Sequence, residues 1–212
     1  MRSPLAESER DRLIAAMLPD VPFDGWSRPA LRAAAARIGI EPAEAVALFP
    51  CGAIDLVAGF SRWADRQVLD RLATAELDDL RTPERIALAL RLRFDILSPW
   101  REAVRRGLSV LALPLNAPLA ARLLYETVDG MWYAVGDEAT DFSFYTKRAT
   151  LAGLVAAATL YWLDDRSEGF ANTHAFIERR LADIGRLTDL RRGFEEALDR
   201  LPNPFRLLRP TR

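Results

Sequence analysis

The stretch RPALRAAAARIGIEPAEAVALFPCGAIDLVAGF, residues 28–60, contains three helical patterns separated by two turns. Ser27 stands just before it and predicts an N-cap, and Gly39 predicts the end of the first helix. A short helix follows Pro42 and ends near Pro50. The third pattern then continues as a longer helix with apolar residues at helical spacing. This stretch therefore predicts three consecutive helices: one of ordinary length, one short and one long.

Helical signals continue along the rest of the chain, and no convincing strand pattern interrupts them. Thr82, Ser98 and Asn116 each precede a helical pattern and have a proline close behind, as helix starts often do. Residues 149–163 form an almost uncharged run, which predicts a buried helix. The segments NTHAFIERRLADIGRL and LTDLRRGFEEALDRL predict two more helices. We predict an all-α fold of roughly nine or ten helices.

We expect one continuous domain with two portions and a tail. Residues 1–75 hold the three-helix pattern, residues 76–201 hold the remaining helices, and residues 202–212 form a basic tail. The chain has 212 residues, of which half are hydrophobic, so a sizeable core can be buried. The net charge is -1, which argues against a generally basic nucleic-acid binder.

Features of the whole chain favour a cytoplasmic bacterial protein. The single Cys51 excludes an internal disulfide and fits a reducing compartment. The first residues include acids and no apolar stretch, so we expect no secretory signal. Residues 149–163 are fewer than the ~20 apolar residues of a spanning helix. Lys147 is the single lysine, which we interpret as a coding bias of a high-GC bacterium.

The sequence contains few of the residues that catalysis requires. His174 and Cys51 are the only histidine and cysteine, and no cluster has zinc-ligand spacing. A di-iron bundle needs Glu-x-x-His pairs, and Ala171 occupies the glutamate position before His174. We therefore predict no catalytic residues, no metal ligands and a packed or surface position for His174. An enzyme is the least favoured of three functional classes.

The three-helix pattern resembles the helix-turn-helix of TetR-type transcription regulators, in which the short helix enters the major groove. Here the short helix, EPAEAVALF, carries Glu41 and Glu44 and no side-chain donor. Carboxylates facing phosphates repel them, and base readout needs donors. Arg28, Arg32 and Arg37 remain available for backbone contacts. We expect no sequence-specific DNA complex, and a ligand-responsive repressor stays the alternative function.

A set of residues in the C-terminal half occurs in a specific order: Trp132-Tyr133, Gly136-Asp137, Thr140-Asp141, Tyr145-Thr146-Lys147-Arg148, Asp165, Ser167, Thr173, Phe176 and Arg180. With the apolar helix behind Arg148, this order resembles the family of accessory lipid-binding proteins of ubiquinone biosynthesis, the ninth Coq protein. The segments GWSRPALRAAAARIGI and LFPCGAIDLVAGFSRWAD also resemble that family. The resemblance thus covers most of residues 10–190.

The resemblance implies a TetR-like fold that binds lipid instead of DNA. Members of this family bind isoprenoid quinone intermediates in an apolar pocket and support the demethoxyubiquinone hydroxylase, a membrane-associated di-iron enzyme. They are not known as enzymes. We therefore expect no cofactor other than a bound isoprenoid or similar lipid. A homodimer is also expected, because proteins of the TetR type usually dimerise through their last long helices.

The apolar run provides the predicted pocket wall, because its small side chains allow close approach by a ligand. Ordinary helix packing explains each single position equally well. The leucine-rich segment LSVLALPLNAPLAARLL is the expected second wall. Trp replacing Leu154 or Ala157 should reduce bound lipid. The predicted lipid-binding residues are Leu111, Leu123, Trp132, Tyr145, Leu151, Leu154, Val155, Ala158 and Trp162.

Two surfaces are predicted beside the pocket. Phe142, Phe144 and Tyr145 precede the apolar helix so closely that at least one should be exposed. The resemblance points to Phe144, where the family usually has tryptophan, as a contact with the partner enzyme, flanked by Lys147 and Arg148. The C-terminal stripe and tail suit a membrane surface, and the alternative is a helix packed on the body. The predicted membrane contacts are Phe194, Leu198, Leu201, Phe205 and Leu208.

Overall fold

The computed structural model describes the backbone of residues 4–136 and 142–199, and the side chains of residues 7–136 and 145–186. All regular structure within these ranges is helical, which confirms the predicted all-α class. The helices are α1 (Pro4–Met17), α2 (Val21–Asp24), α3 (Arg28–Arg37), α4 (Pro42–Leu48), α5 (Ala53–Ala73), α6 (Thr82–Leu97), α7 (Arg101–Leu111), α8 (Ala117–Ala134), α9 (Phe142–Asp164) and α10 (Ala171–Asp199).

The three-helix pattern forms as the sequence predicts. The Ser27 hydroxyl accepts the N–H of Ala30 at 3.3 Å and caps α3. Gly39 has a φ of +73°, a conformation that glycine adopts at little cost, and it turns the chain toward α4. Helix α1 packs against α3, α4 and α5 and completes this end of the molecule.

Helix α5 is the central element, because it packs against α1 on one side and against α6, α7 and α8 on the other. Gly59 permits the closest of these approaches. A Cβ atom at that position would lie 3.1 Å from the ring of Phe49 and 3.3 Å from Ile14. One hydrophobic core extends from Leu13 in α1 to Ile177 in α10. Both predicted portions of the chain contribute to this core.

Two parts of the helix assignment differ from the prediction. The sequence did not predict α2, in which Pro22 lies in the first turn, a position that is compatible with proline. Helix α9 contains the apolar run and begins before it, at Phe142. The two predicted C-terminal helices are one continuous helix, α10. Gly185 stands near the expected junction, and a single glycine costs only about 1 kcal/mol relative to alanine.

Charged side chains fix both ends of α9. Near its start, the Arg148 Nε donates to Asp129 of α8 at 2.7 Å, and Arg148 is buried. At its end, the guanidinium of Arg101 donates to the carbonyls of Trp162 and Leu163 at 2.7 and 2.6 Å. A cation at a helix C-terminus satisfies carbonyls that have no partner within the helix and interacts favourably with the helix dipole.

Asp165, in the turn that follows α9, is buried. Only 5% of its surface is exposed. Its carboxylate accepts the N–H and O–H groups of Ser167 at 2.9 and 2.7 Å. It also accepts the N–H and O–H of Thr173 at 2.8 and 2.6 Å, and so joins the end of α9 to the first turn of α10. Burial raises the pKa of Asp165, but the hydrogen bonds from Ser167 and Thr173 outweigh it and hold this pKa far below its ordinary value.

We predict that Asp165→Asn lowers the free energy of unfolding by about 2 kcal/mol at neutral pH, because hydrogen bonds to a charged acceptor contribute more than neutral ones. Asp164→Asn is the matched control, since the neighbouring side chain is 87% exposed. It should change stability by less than about 0.5 kcal/mol. Urea unfolding measures the free energy of unfolding of both variants. Equal effects of the two substitutions would contradict the structural role of the Asp165 carboxylate.

The pH dependence follows from the direction of the pKa shift. Because the folded-state pKa of Asp165 lies below the unfolded value, its stabilisation is complete above about pH 4 and is lost progressively as the pH falls toward the folded-state pKa. The stability difference between the wild type and Asp165→Asn should therefore shrink in acid. A stability difference between the two proteins that stays constant from neutral pH into acid would count against a lowered pKa of Asp165 in the folded state.

Candidate functional site

A cavity of about 440 Å³ lies between α5, α6, α7, α8 and α9. Most of its walls are apolar, and large or small hydrophobic side chains come from every one of these helices. The principal apolar residues are Val57, Phe60, Ala64, Leu97, Leu108, Leu123 and Val155. Polar side chains are few, namely Ser61, Arg93, Thr127 and Thr159. An apolar space with a small number of polar groups is typical of small-molecule sites.

Two of the polar residues belong to one cluster. Arg93 of α6 forms an ion pair with Asp65 of α5. The hydroxyl of Thr127 lies 3.0 Å from both carboxylate oxygens of Asp65. The positive charge of Arg93 is thus balanced, and both Arg93 and Thr127 are buried at the cavity wall. An arginine has five N–H donors, so the pair with Asp65 leaves Arg93 able to donate to a polar group inside the cavity.

The cavity opens to solvent along the middle of α9. Ala156 and Leu160 line the cavity and are both exposed. Gly153 and Ala157 also face solvent on this helix. Helix α9 is therefore buried on one side only, which corrects the prediction that it is buried all round.

The predicted lipid-binding residues divide into three groups. Leu111, Leu123 and Val155 line the cavity. The other predicted wall residues of α9 are buried in the core beside it and do not line it: Leu151, Leu154, Ala158 and Trp162. Leu151, Leu154 and Trp162 fill space in the core, whereas Ala156 and Thr159 line the cavity. The lipid contact of the four residues beside the cavity stays a prediction.

Two predicted lipid-binding residues lie away from the cavity. Tyr145 is 69% exposed at the start of α9, and Trp132 of α8 is partly buried under the ammonium group of Lys147, 5.6 Å from the ring centre. The sequence predicted that tryptophan at Ala157 should reduce bound lipid. In the structure Ala157 is exposed and does not line the cavity.

The sequence interpretation missed the walls from α5 and α6. Phe60 and Ala64 were assigned to the helix-turn-helix portion, and Arg93 and Leu97 received no role. One signal was present, since Ser61 and Ala64 are small residues on the buried stripe of α5. Small residues on a core-facing stripe leave space beside that stripe.

The structure alters the predicted partner surface. Arg148 is buried and bonded to Asp129, so its guanidinium is not a surface contact, and this part of the prediction is corrected. Tyr145 is exposed and Lys147 partly so. Phe144 lies in α9, but its side chain is outside the described residues. The predicted membrane contacts lie outside them as well: the side chains of Phe194 and Leu198 on α10, and the whole of Leu201, Phe205 and Leu208.

The short helix α4 presents an acidic and small-residue face to solvent. Its exposed residues are Glu41, Ala43, Glu44 and Ala47. Two of the three neighbouring arginines bond within the protein. Arg28 donates to the carbonyl of Pro50 at 2.9 Å, and Arg37 donates to Asp20 at 2.6 Å. Arg32 is exposed. The expectation that α4 does not read DNA stays a prediction.

The described residues include no group of three or more His, Cys, Asp and Glu side chains placed to hold a metal ion. His174 is half-buried in α10, within the range predicted for it. In the same part of the chain, no single helix is long and apolar enough to span a bilayer. Two bent helix pairs reach that length and composition together, Pro42–Leu48 with Ala53–Ala73 and Thr82–Leu111 with Pro114–Ala134.

Comparison with known proteins gives one consistent family. The COQ9 family model matches residues 117–188, from α8 into α10. The rat protein "Ubiquinone biosynthesis protein COQ9, mitochondrial" is 33% identical over 84% of this chain, which covers 59% of the rat protein. The human COQ9 protein is also 33% identical over 84% of the chain. The chain thus spans about three fifths of the length of these relatives.

A solved structure shows the same fold. The TetR transcriptional regulator from Nitrosomonas europaea superimposes with a TM-score of 0.66 and 21% identity, over 82% of this chain and 97% of the regulator. This likeness confirms the predicted TetR-like fold and carries no statement about activity. The resemblance predicted from the sequence is therefore confirmed: the chain is similar to the COQ9 proteins of ubiquinone biosynthesis, and its fold is TetR-like.

Proposed function

We propose that this protein binds an isoprenoid quinone intermediate in the cavity and acts as a non-enzymatic accessory protein in ubiquinone biosynthesis. The COQ9 relatives support a role in that pathway. The lipid itself is inferred from the cavity. The observation that carries the proposal is a largely apolar space, open beside α9, with Arg93 and Thr127 as buried polar groups at its wall.

The cavity suits a lipid with a polar ring and an apolar tail. Apolar surface stabilises a bound tail by about 25 cal/mol per Å² removed from water. Arg93 provides N–H donors for ring oxygens, and Thr127 holds the Asp65 carboxylate that balances its charge. Without a bonding partner, polar ring oxygens would be costly to bury.

The volume limits how much of the lipid fits inside. At about 440 Å³ the cavity lies in the lower half of the range for small-molecule pockets, ~300–1,000 Å³. A ring with the first part of its tail fills such a space, so the remainder of a long polyprenyl tail extends through the opening near Leu160.

We predict that Ala156→Trp reduces quinone binding at least tenfold, because an indole at the opening occupies the path of the tail. Ala157→Trp is the matched control: the same change on the next residue, exposed on the same helix and not lining the cavity. It should bind quinone nearly as the wild type does. Quenching of intrinsic fluorescence by a short-chain quinone gives the dissociation constant of each protein. Equal affinities in the two folded variants would contradict the cavity as the site.

We propose that the partner is the demethoxyubiquinone hydroxylase. We further propose that the protein acts as a homodimer, at the inner face of the bacterial membrane. Tyr145 supports a contact surface at the start of α9, since it is exposed there. Exposed aromatic residues beside a cation are frequent anchors of protein contacts. The cation here is Lys147, which remains partly exposed.

We predict that Phe144→Lys and Tyr145→Lys, made separately, each weaken hydroxylase binding by about 2 kcal/mol or more, as the loss of a hot-spot aromatic does. Phe23→Lys is the control, because Phe23 is an exposed aromatic residue on a different helix, α2. A pull-down with the hydroxylase measures binding, and thermal melts show that the variants fold. Undiminished binding by both stable variants would exclude this surface.

The ligand-responsive repressor has less support. The likeness to a TetR regulator concerns the fold alone. The exposed face of α4 carries two carboxylates, and these would meet phosphates with repulsion.

A further inference from the structure

The turn between α7 and α8 has an exposed apolar tip. Leu113 is 57% exposed and Leu115 is 90% exposed. They stand on either side of Pro114 in a short 3-10 turn, Pro114–Asn116. The chain bends by 96° here, so the tip projects from a corner of the fold. Large apolar side chains this exposed, side by side, usually mark a contact surface.

The tip lies in a long uncharged segment. Residues 107–121 contain no Asp, Glu, Lys or Arg. Arg106 and Arg122 bound this segment. Their carboxylate partners, Glu102 and Glu126, each lie four residues farther from the tip. The charged residues nearest to the tip in the sequence are therefore both arginines, an order that suits a surface with apolar chains and anionic head groups.

Several polar groups of the turn are paired within the protein. Ala112 N–H donates to the Leu108 carbonyl at 2.8 Å, and Asn116 N–H donates to the Leu113 carbonyl at 2.8 Å. The buried Asn116 side chain donates to the Val110 carbonyl at 2.8 Å. Pro114 has no N–H to satisfy. These features lower the cost of moving this part of the turn toward an apolar environment.

The turn also adjoins the cavity. Leu111 and Ala112 line the cavity just before the tip, and Ala120 lines it just after. A surface that covers Leu113 and Leu115 would therefore lie close to the cavity wall. A second protein could also cover Leu113 and Leu115. A protein partner would not explain why the segment is uncharged or why it adjoins a lipid-sized cavity, whereas a bilayer contact explains both.

We propose that the α7–α8 turn inserts Leu113 and Leu115 into the surface of a lipid bilayer and places the cavity next to the lipid from which it is filled. This contact is separate from the predicted C-terminal membrane contact. The proposal rests on the proposed function only for the identity of the lipid that enters the cavity. The membrane contact itself depends on the turn alone.

The test is cosedimentation of the full chain with vesicles of phosphatidylcholine and phosphatidylglycerol. Leu113→Asp/Leu115→Asp should weaken vesicle binding about tenfold or more, because two leucines lose their favourable transfer from water. Leu113→Ser/Leu115→Ser, a milder pair, should weaken it in the same direction. Phe23→Asp controls for the loss of any exposed apolar side chain. Thermal melts show that each variant folds.

Vesicle binding that is unchanged in both double variants would overturn the proposal. It would also be overturned if the substitutions changed only the oligomeric state, since the tip would then be covered by a second copy of the chain. A short-chain quinone added without vesicles separates the two proposals. The double variants should bind it as the wild type does. A wild type that binds vesicles through the turn but binds no quinone would refute the proposed function and leave the membrane contact standing.

Discussion

Helix α9 is held in place at its two ends and left open in its middle, and this arrangement makes the cavity possible. Arg148 binds Asp129 at the start of the helix, and Arg101 caps its last carbonyls. Asp165 then fixes the turn into α10. With its ends held by charged groups, the helix needs fewer apolar contacts along its length. Two of the charges beside the apolar run in the sequence, Arg148 and Asp165, are therefore structural, and they position a helix whose middle contains small residues.

The small residues determine where a ligand can lie. Leu151, Leu154 and Trp162 face the core and fill it, whereas Ala156 and Thr159 face α5, α7 and α8 without filling the space between them. The other polar groups of the cavity come from the opposite side, where Arg93 is neutralised by Asp65. A charge already balanced within the protein can donate hydrogen bonds to a ligand without requiring an ionic ligand. This combination favours a neutral lipid with polar oxygens over a fatty acid or a phosphate ester, and it supports the proposed quinone.

The sequence was sufficient for the fold because capping and helical spacing are local properties. Ser27, Gly39 and the prolines at helix starts gave the order of helices correctly, and the ordered set of residues around Arg148 indicated the family. The sequence did not predict which face of α9 is buried. Its residues are apolar on almost every side, so periodicity gave no preferred face, and only the burial in the folded structure shows that Leu154 points into the core. The roles of Arg148 and Asp165 depend on partners in other elements, Asp129 and Thr173, which spacing alone does not reveal.

Native mass spectrometry of the protein purified from its own cells tests whether the cavity holds a quinone. We expect one bound lipid per chain, released as an isoprenoid quinone intermediate with a polar ring and a polyprenyl tail. The same lipid should be much depleted in Ala156→Trp and retained in Ala157→Trp prepared in parallel. A native protein that carries no lipid, or one whose lipid is equally abundant in both variants, would contradict the claim that this cavity holds a quinone.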